Sequence, residues 1–206
     1  MFKCKYMTVN KVDSIYVEEA MDYQQYRTLI DGLLKEGKTT GTIYSGPEIL
    51  EYAKLNAARM SRLEKTVTLT PAMQDALSKL TAHQTWLVLT EGWCGDAAQS
   101  VPIFNAIANA TDKITLRLLL RDENPDLMQQ YLYEGKSKSI PRLIAVNDEM
   151  EERFVWGPRP VELQAQFVEM QEKKMHYTQI AEVLHAWYAK DRTISVQSEL
   201  AALLRV

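Results

Sequence analysis

Hydrophobic residues recur every three to four positions through the first 66 residues, the spacing typical of amphipathic helices. Gly37 and Gly41 end the first helical stretch, and Pro47 opens a second. The pattern predicts a helical N-terminal extension over residues 1–66 that packs against the rest of the protein and carries no chemistry. Its inward positions are Tyr23, Tyr26, Ile30, Leu33, Leu34, Ile49, Leu50, Ala53, Ala57, Met60 and Leu63.

From Val67 onward, short apolar runs alternate with stretches of helical spacing. This order indicates an α/β fold, in which a small mixed sheet is flanked by helices. The predicted strands span residues 85–90, 114–120, 141–146 and 153–156, with a hairpin turn at Asn147-Asp148 between the last two. The predicted helices span residues 71–80, 94–109, 125–133, 160–174 and 177–190.

The same pattern divides the chain into three segments. The helical extension over residues 1–66 precedes an α/β domain over residues 67–175, and a C-terminal helix with its tail occupies residues 176–206. The leucines of the tail can cover either the core or a second subunit, so the oligomeric state is left open. These leucines are Leu200, Leu203 and Leu204.

Composition and charge exclude several classes of protein. The 206 residues, 46% of them hydrophobic, are sufficient for one core of ordinary size. A net charge of −3 offers no basic surface for nucleic acid, and no apolar run reaches the roughly 18 residues of a membrane span. The N-terminus lacks the continuous apolar centre of a secretion signal. The three histidines lack metal-ligand spacing, and Cys4 and Cys94 are too few for a disulfide framework. We therefore expect a cytosolic protein without a metal or cofactor.

One cysteine stands where a predicted strand ends and a predicted helix begins. Cys94 follows an apolar run within the segment Trp93-Cys94-Gly95-Asp96-Ala97. A helix N-terminus stabilises a thiolate by at most about 2 kcal/mol, which lowers a cysteine pKa from about 8.5 to about 7. We expect exposed Glu91 and Asp96 to oppose this weakly, and Arg142 to favour it if its side chain points to the sulfur. The sequence thus predicts a thiolate at neutral pH.

Four features follow one another along the chain: Trp93-Cys94-Gly95 at a helix start, Asn124-Pro125 after the next strand, Ile140-Pro141 opening a third strand, and a strand pair with a terminal helix. In this order they resemble the thioredoxin superfamily over residues 67–175. Three further motifs make the chain similar to a bacterial thioredoxin-like group. They are Gly92-Trp93-Cys94-Gly95-Asp96, Arg121-Asp122-Glu123-Asn124 and Trp156-Gly157-Pro158-Arg159.

The resemblance implies roles for the matching residues. Cys94 is implied to be the catalytic nucleophile. Trp93 is implied to flank it as an apolar platform, and Gly95 to complete the substrate-binding turn. Pro141 is implied to be cis, so that the backbone of Ile140 can pair with an extended substrate.

Two departures from the family argue against a self-contained disulfide reductase. Ala97 stands where the family has a second, resolving cysteine, and Val88 stands where two-cysteine thioredoxins carry a buried aspartate. That aspartate helps to remove the proton of the resolving thiol, so the two losses agree with each other.

Two functions therefore remain. In the first, Cys94 is a single-cysteine thiol–disulfide oxidoreductase that attacks a protein or low-molecular-weight disulfide. The resulting mixed disulfide is resolved by an external thiol of the glutathione type, or by Cys4. In the alternative, the protein is a non-catalytic binding module, in which Trp93, Ile140 and Pro141 form an apolar groove for a peptide.

Overall fold

The computed structural model of the protein describes residues 10–41 and 46–205. Within these ranges one four-stranded sheet is flanked by helices, which confirms the predicted α/β class and its thioredoxin-like fold. The predicted strand positions and the hairpin turn are also confirmed. The strands are β1 (Gln84–Thr90), β2 (Ile114–Leu120), β3 (Arg142–Val146) and β4 (Glu152–Trp156).

The helices of the described residues follow the predicted order with two differences. The helix after Asn124 ends earlier than predicted, and the C-terminal tail forms a helix that was not predicted. The helices are α1 (Ile15–Glu18), α2 (Tyr23–Lys35), α3 (Pro47–Thr66), α4 (Pro71–Ser78), α5 (Gly95–Ala108), α6 (Pro125–Gln130), α7 (Val161–Glu172), α8 (Tyr177–Asp191) and α9 (Ile194–Leu203).

The sheet has the strand order β2-β1-β3-β4. Strands β1 and β2 are parallel, so a crossover must join them, and α5 forms it. Strand β3 runs antiparallel to both β1 and β4. Leu87, Val88 and Leu89 of the central strand β1 are fully buried, because helices cover both faces of the sheet there.

One hydrophobic core joins all three predicted segments of the chain. Helix α3 packs along α5, and α9 packs against α4 and α5. Met60 of the N-terminal extension, Phe104 of α5 and Leu200 of the tail belong to the same cluster of buried residues. Helix α3 of the N-terminal extension therefore forms a layer over the helix that follows Cys94.

The tail contributes to the core of its own chain. Val196 and Leu200 are fully buried, and Leu204 is nearly so. Their spacing of four residues is helical, and this signal could have predicted α9.

No helix in the described part of the chain has both the length and the hydropathy needed to cross a membrane.

A close backbone contact holds the turn after β4 against the start of β3. Gly157 has φ +109°, and a Cβ at this position would lie 2.1 Å from the Pro141 carbonyl oxygen. Only glycine fits such a contact, because real Cβ atoms do not approach an oxygen so closely.

We predict that Gly157→Ala lowers the free energy of unfolding by about 3 kcal/mol, through backbone strain and overpacking together. The matched control is Gly37→Ala, since Gly37 also has a positive φ (+70°) but a Cβ added there would meet no atom within 4 Å. The control should cost only about 1 kcal/mol. Urea denaturation measures both, and equal losses in the two variants would contradict the contact.

Candidate functional site

Cys94 occupies the strand-to-helix turn that the sequence predicts. It is the N-cap residue of α5, with extended backbone angles (φ −79°, ψ 118°), and a turn at Gly92 and Trp93 connects it to β1. The backbone N–H groups of Asp96 and Ala97 lie close enough to lower the pKa of its thiol. The local geometry is therefore that of a cysteine at a helix N-terminus.

The fold brings Cys94 to the start of β3. The peptide bond between Ile140 and Pro141 is cis, as the resemblance implies. The Cys94 thiol donates a hydrogen bond to the carbonyl oxygen of Ile140, with 3.4 Å between sulfur and oxygen. Cys94, Ile140 and Pro141 thus meet although 46 positions separate the first two in sequence.

A pocket of about 330 Å³ lies over these residues. Four of the five predicted site residues line it, and the fifth, Pro141, is buried beneath the surface. Ile140 lines the pocket but is only 4% exposed, so it contributes little apolar surface to it. The lining residues are Trp93, Cys94, Gly95, Asp96, Arg121, Ser137, Lys138, Ser139, Ile140, Arg159 and Tyr177.

The structure contradicts the prediction of a thiolate at neutral pH. Cys94 is 7% exposed, and burial raises the pKa of its thiol to about 12, with a smaller contribution from the Asp96 carboxylate. The helix N–H groups and Arg159 lower the pKa, but by less. The thiol is therefore protonated at neutral pH, which agrees with its hydrogen bond to a carbonyl oxygen.

Asp96 is not the exposed flanking residue that was expected. It is 8% exposed, and its carboxylate pairs with Arg159 at 2.7 Å and accepts a hydrogen bond from the Tyr188 hydroxyl at 2.9 Å. Burial raises the pKa of Asp96, while Arg159 and Tyr188 oppose the increase. The Arg159 guanidinium also lies 3.9 Å from the ring centre of Phe167.

Glu91 was likewise expected to be exposed and is fully buried. Its carboxylate accepts a hydrogen bond from the backbone N–H of Asp122 at 3.0 Å. Burial is the main reason that the pKa of Glu91 is raised. Glu91 therefore anchors the segment after β2 and is not a solvated charge beside the thiol.

Arg142 does not act on Cys94. Its guanidinium donates hydrogen bonds to the carbonyl oxygens of Tyr131 (3.1 Å) and Gly157 (2.7 Å), and it does not line the pocket. The cation that lowers the pKa of Cys94 is Arg159, from the Trp-Gly-Pro-Arg motif. Sequence adjacency misled the prediction, because successive residues of a strand point to opposite faces.

Gly95 has a packing role that sequence analysis missed. A Cβ at this position would lie 2.9 Å from Cε1 of His185 in α8, so glycine lets the imidazole pack against the start of α5. Burial lowers the pKa of His185 to about 4, with a smaller contribution from the positive charge of Arg59, so the ring is neutral at pH 7.

In the described ranges, no group of three or more His, Cys, Asp or Glu side chains is placed to hold a metal ion.

Tyr177 and Lys138 line the pocket but carried no recognisable sequence signal, whereas Arg121 belongs to the Arg121-Asp122-Glu123-Asn124 motif. Tyr177, at the start of α8, is 65% exposed, and its ring packs edge-on against that of Tyr52. Lys138 lies in the irregular segment before Ile140 and is exposed. The Arg121 guanidinium lies 4.9 Å from the Trp93 ring centre. Only tertiary folding brings these side chains to Cys94.

Cys4, considered as a resolving thiol, lies outside the described residues.

Comparison with solved structures supports the fold. A protein of unknown function from Pseudomonas aeruginosa has 15% sequence identity and a TM-score of 0.61, over 92% of this chain and 95% of that one. A crystal structure of an HIV epitope-scaffold has 14% identity and a TM-score of 0.60, over 93% of this chain and 96% of that one. At these identities the likeness concerns the fold alone. No curated protein matches the sequence.

Comparison with sequence families shows to which family the chain belongs. A family model described as thioredoxin matches residues 45–179, which extends the resemblance at 67–175 to include α3. The matched range contains β1, α5, the Cys94 turn and the cis Ile140–Pro141 bond. This chain belongs to the thioredoxin family.

Proposed function

We propose that this protein is a thioredoxin-fold binding module, in which the pocket beside Cys94 receives an acidic extended peptide and the thiol does not turn over. The observation that carries the proposal is the state of Cys94, which is 7% exposed with a pKa raised to about 12 by burial. Ala97, in the place of a resolving cysteine, is also buried.

The raised pKa of Cys94 favours the binding module over the oxidoreductase. At pH 7 a thiol of pKa about 12 is ionised about 3,000-fold less than a free cysteine of pKa about 8.5. The greater intrinsic nucleophilicity of the more basic thiolate recovers a factor of about 40. Cys94 should therefore react about two orders of magnitude more slowly than an ordinary cysteine, which does not suit a thiol–disulfide catalyst.

The chemistry of the pocket supports an acidic peptide as the ligand. The aromatic rings of Trp93 and Tyr177 offer flat apolar contacts at the pocket. Arg159 and Arg121 are already paired with Asp96 and Asp122, respectively. Within the described residues Lys138 forms no ion pair, so its ammonium group is available to a carboxylate of the ligand.

A single-cysteine oxidoreductase remains the second candidate, because Cys94 lines the pocket beside the cis Ile140–Pro141 bond. In this mechanism the thiol loses its proton and its sulfur attacks a disulfide. A new Cys94–S bond forms, the old disulfide bond breaks, and the leaving thiolate takes up a proton. An external thiol then releases Cys94 in the same way.

The ionisation of Cys94 can be measured directly. In a Cys4→Ser background, we expect the rate of alkylation by iodoacetamide to rise continuously up to pH 10, because the thiolate forms only as the pH approaches the raised pKa. At pH 7 the rate should be about 100-fold below that of free cysteine. A titration midpoint below 8.5 would contradict the proposal and support the second candidate.

Turnover separates the two functions independently. With a glutathionylated peptide as substrate and glutathione as reductant, we expect the protein and its Cys94→Ser variant to release the peptide at the same rate. Mass spectrometry of the intact protein should show no glutathione adduct on Cys94. Turnover that Cys94→Ser abolishes would establish the oxidoreductase.

Binding is tested with fluorescein-labelled decapeptides that differ only in carrying glutamate or lysine. We expect the glutamate peptide to bind more tightly, and Lys138→Glu to weaken it about fivefold, the scale of an exposed charge pair. Lys136→Glu is the matched control, since Lys136 is exposed nearby but does not line the pocket. Equal effects of the two substitutions, or no preference between peptides, would exclude the pocket as the binding site.

A further inference from the structure

An open cleft of about 950 Å³ lies between the end of β4, α7 and α9. It is a different site from the pocket beside Cys94, and the two share only Arg159 among their lining residues. Its volume falls within the range of about 300–1,000 Å³ that is usual for small-molecule sites. The cleft is thus large enough for a ligand of its own.

Most of the exposed surface of the cleft is apolar. Val155 of β4 lies on one side and Leu203 of α9 on another. Helix α7 contributes Val161 and Val168, which are 74% and 42% exposed. These valines leave apolar surface in contact with water at a concave site, where a hydrocarbon chain would displace that water.

Arg142 lines this apolar cleft and forms no ion pair in the described part of the chain, although the Glu152 carboxylate acts on it electrostatically from a longer distance. It uses Nε and Nη1 for the carbonyl oxygens of Tyr131 and Gly157, and its guanidinium lies 5.7 Å from the Tyr133 ring centre. Among residues 10–41 and 46–205, no acidic side chain forms an ion pair with Arg142, and its Nη2 makes no hydrogen bond. A partly desolvated guanidinium with an open donor is complementary to a carboxylate.

Three other charged residues line the cleft, one cation and two carboxylates. Arg159 is paired with Asp96. Glu199 accepts hydrogen bonds from the Trp156 indole N–H and the Val161 backbone N–H, both at 2.7 Å. Glu134 is exposed to solvent. Among the described residues, Arg142 is therefore the cationic side chain of the cleft that has no ion pair.

We propose that this cleft binds a straight-chain aliphatic carboxylate. The carboxylate pairs with Nη2 of Arg142, and the hydrocarbon chain lies along Val155, Val161 and Val168. This site goes beyond the proposed function, because it does not involve the thiol and shares only Arg159 with the peptide pocket.

The probe for this site is dodecanoate, measured by isothermal titration calorimetry below its micellar concentration. We expect dodecanoate to bind the full-length protein with one-to-one stoichiometry and at least about tenfold more tightly than dodecanol, because the guanidinium pairs only with the charged head. Each methylene removed from the chain should weaken binding by about fourfold.

Two substitutions test the two halves of the site. Arg142→Met should weaken dodecanoate binding at least about tenfold and leave dodecanol unchanged. The control is Arg153→Met, which removes the same charge from an exposed position of β4 that does not line the cleft. Ala165→Trp, at an exposed position of α7 that lines the cleft, should block both ligands while keeping the fold.

Three results would overturn the proposal. The first is the absence of dodecanoate binding to the unmodified protein, including the case in which the chain elutes as a dimer that covers the cleft. The second is equal affinity for dodecanoate and dodecanol. The third is binding that Ala165→Trp leaves intact, which keeps the test decisive even if Arg142→Met fails to fold.

Discussion

The ion pair between Asp96 and Arg159 holds together the three elements that meet at the N-terminal end of α5. Asp96 belongs to α5, Arg159 to the segment between β4 and α7, and Tyr188 of α8 donates a hydrogen bond to the same carboxylate. Both charged side chains are about nine-tenths buried. Removing either one would leave an uncompensated buried charge, at a cost of about 3–5 kcal/mol. The position of α8 over Cys94 therefore depends on this pair.

Burial of Cys94 at this junction raises the pKa of its thiol by more than the helix N-terminus lowers it. A helix end favours an anion by at most about 2 kcal/mol, and its effect is strongest where water does not already solvate the charge. Burial removes the water that would solvate the thiolate, and this disfavours the thiolate by more than the helix end favours it. The pKa of Cys94 therefore rises to about 12 despite the nearby N–H groups and Arg159. The same turn can thus carry a reactive or an inert cysteine, and the surrounding side chains decide which.

The two departures from the two-cysteine pattern are consistent with this interpretation. Val88 and Ala97 are both buried in the main hydrophobic cluster, where the family has an ionisable aspartate and thiol. Apolar side chains at both positions stabilise the core without a proton-transfer group. Membership in the thioredoxin family therefore defines the fold and the place of the site, whereas the chemistry of the site depends on the residues that this chain has there.

Local patterns were sufficient for most of the fold. The apolar run of β1 and the helical spacing after Cys94 predict their elements within a few residues, because each depends on neighbours in sequence. Motif order also placed Cys94 opposite Ile140 and Pro141, as the structure has them. The protonation of Cys94, the pairing of Asp96 with Arg159 and the turn of Arg142 toward the other cleft could not be predicted in this way. Each depends on contacts between segments that are far apart in sequence, such as those of Asp96 with Arg159 and Tyr188. Burial of a group by distant segments cannot be read from a short stretch of sequence.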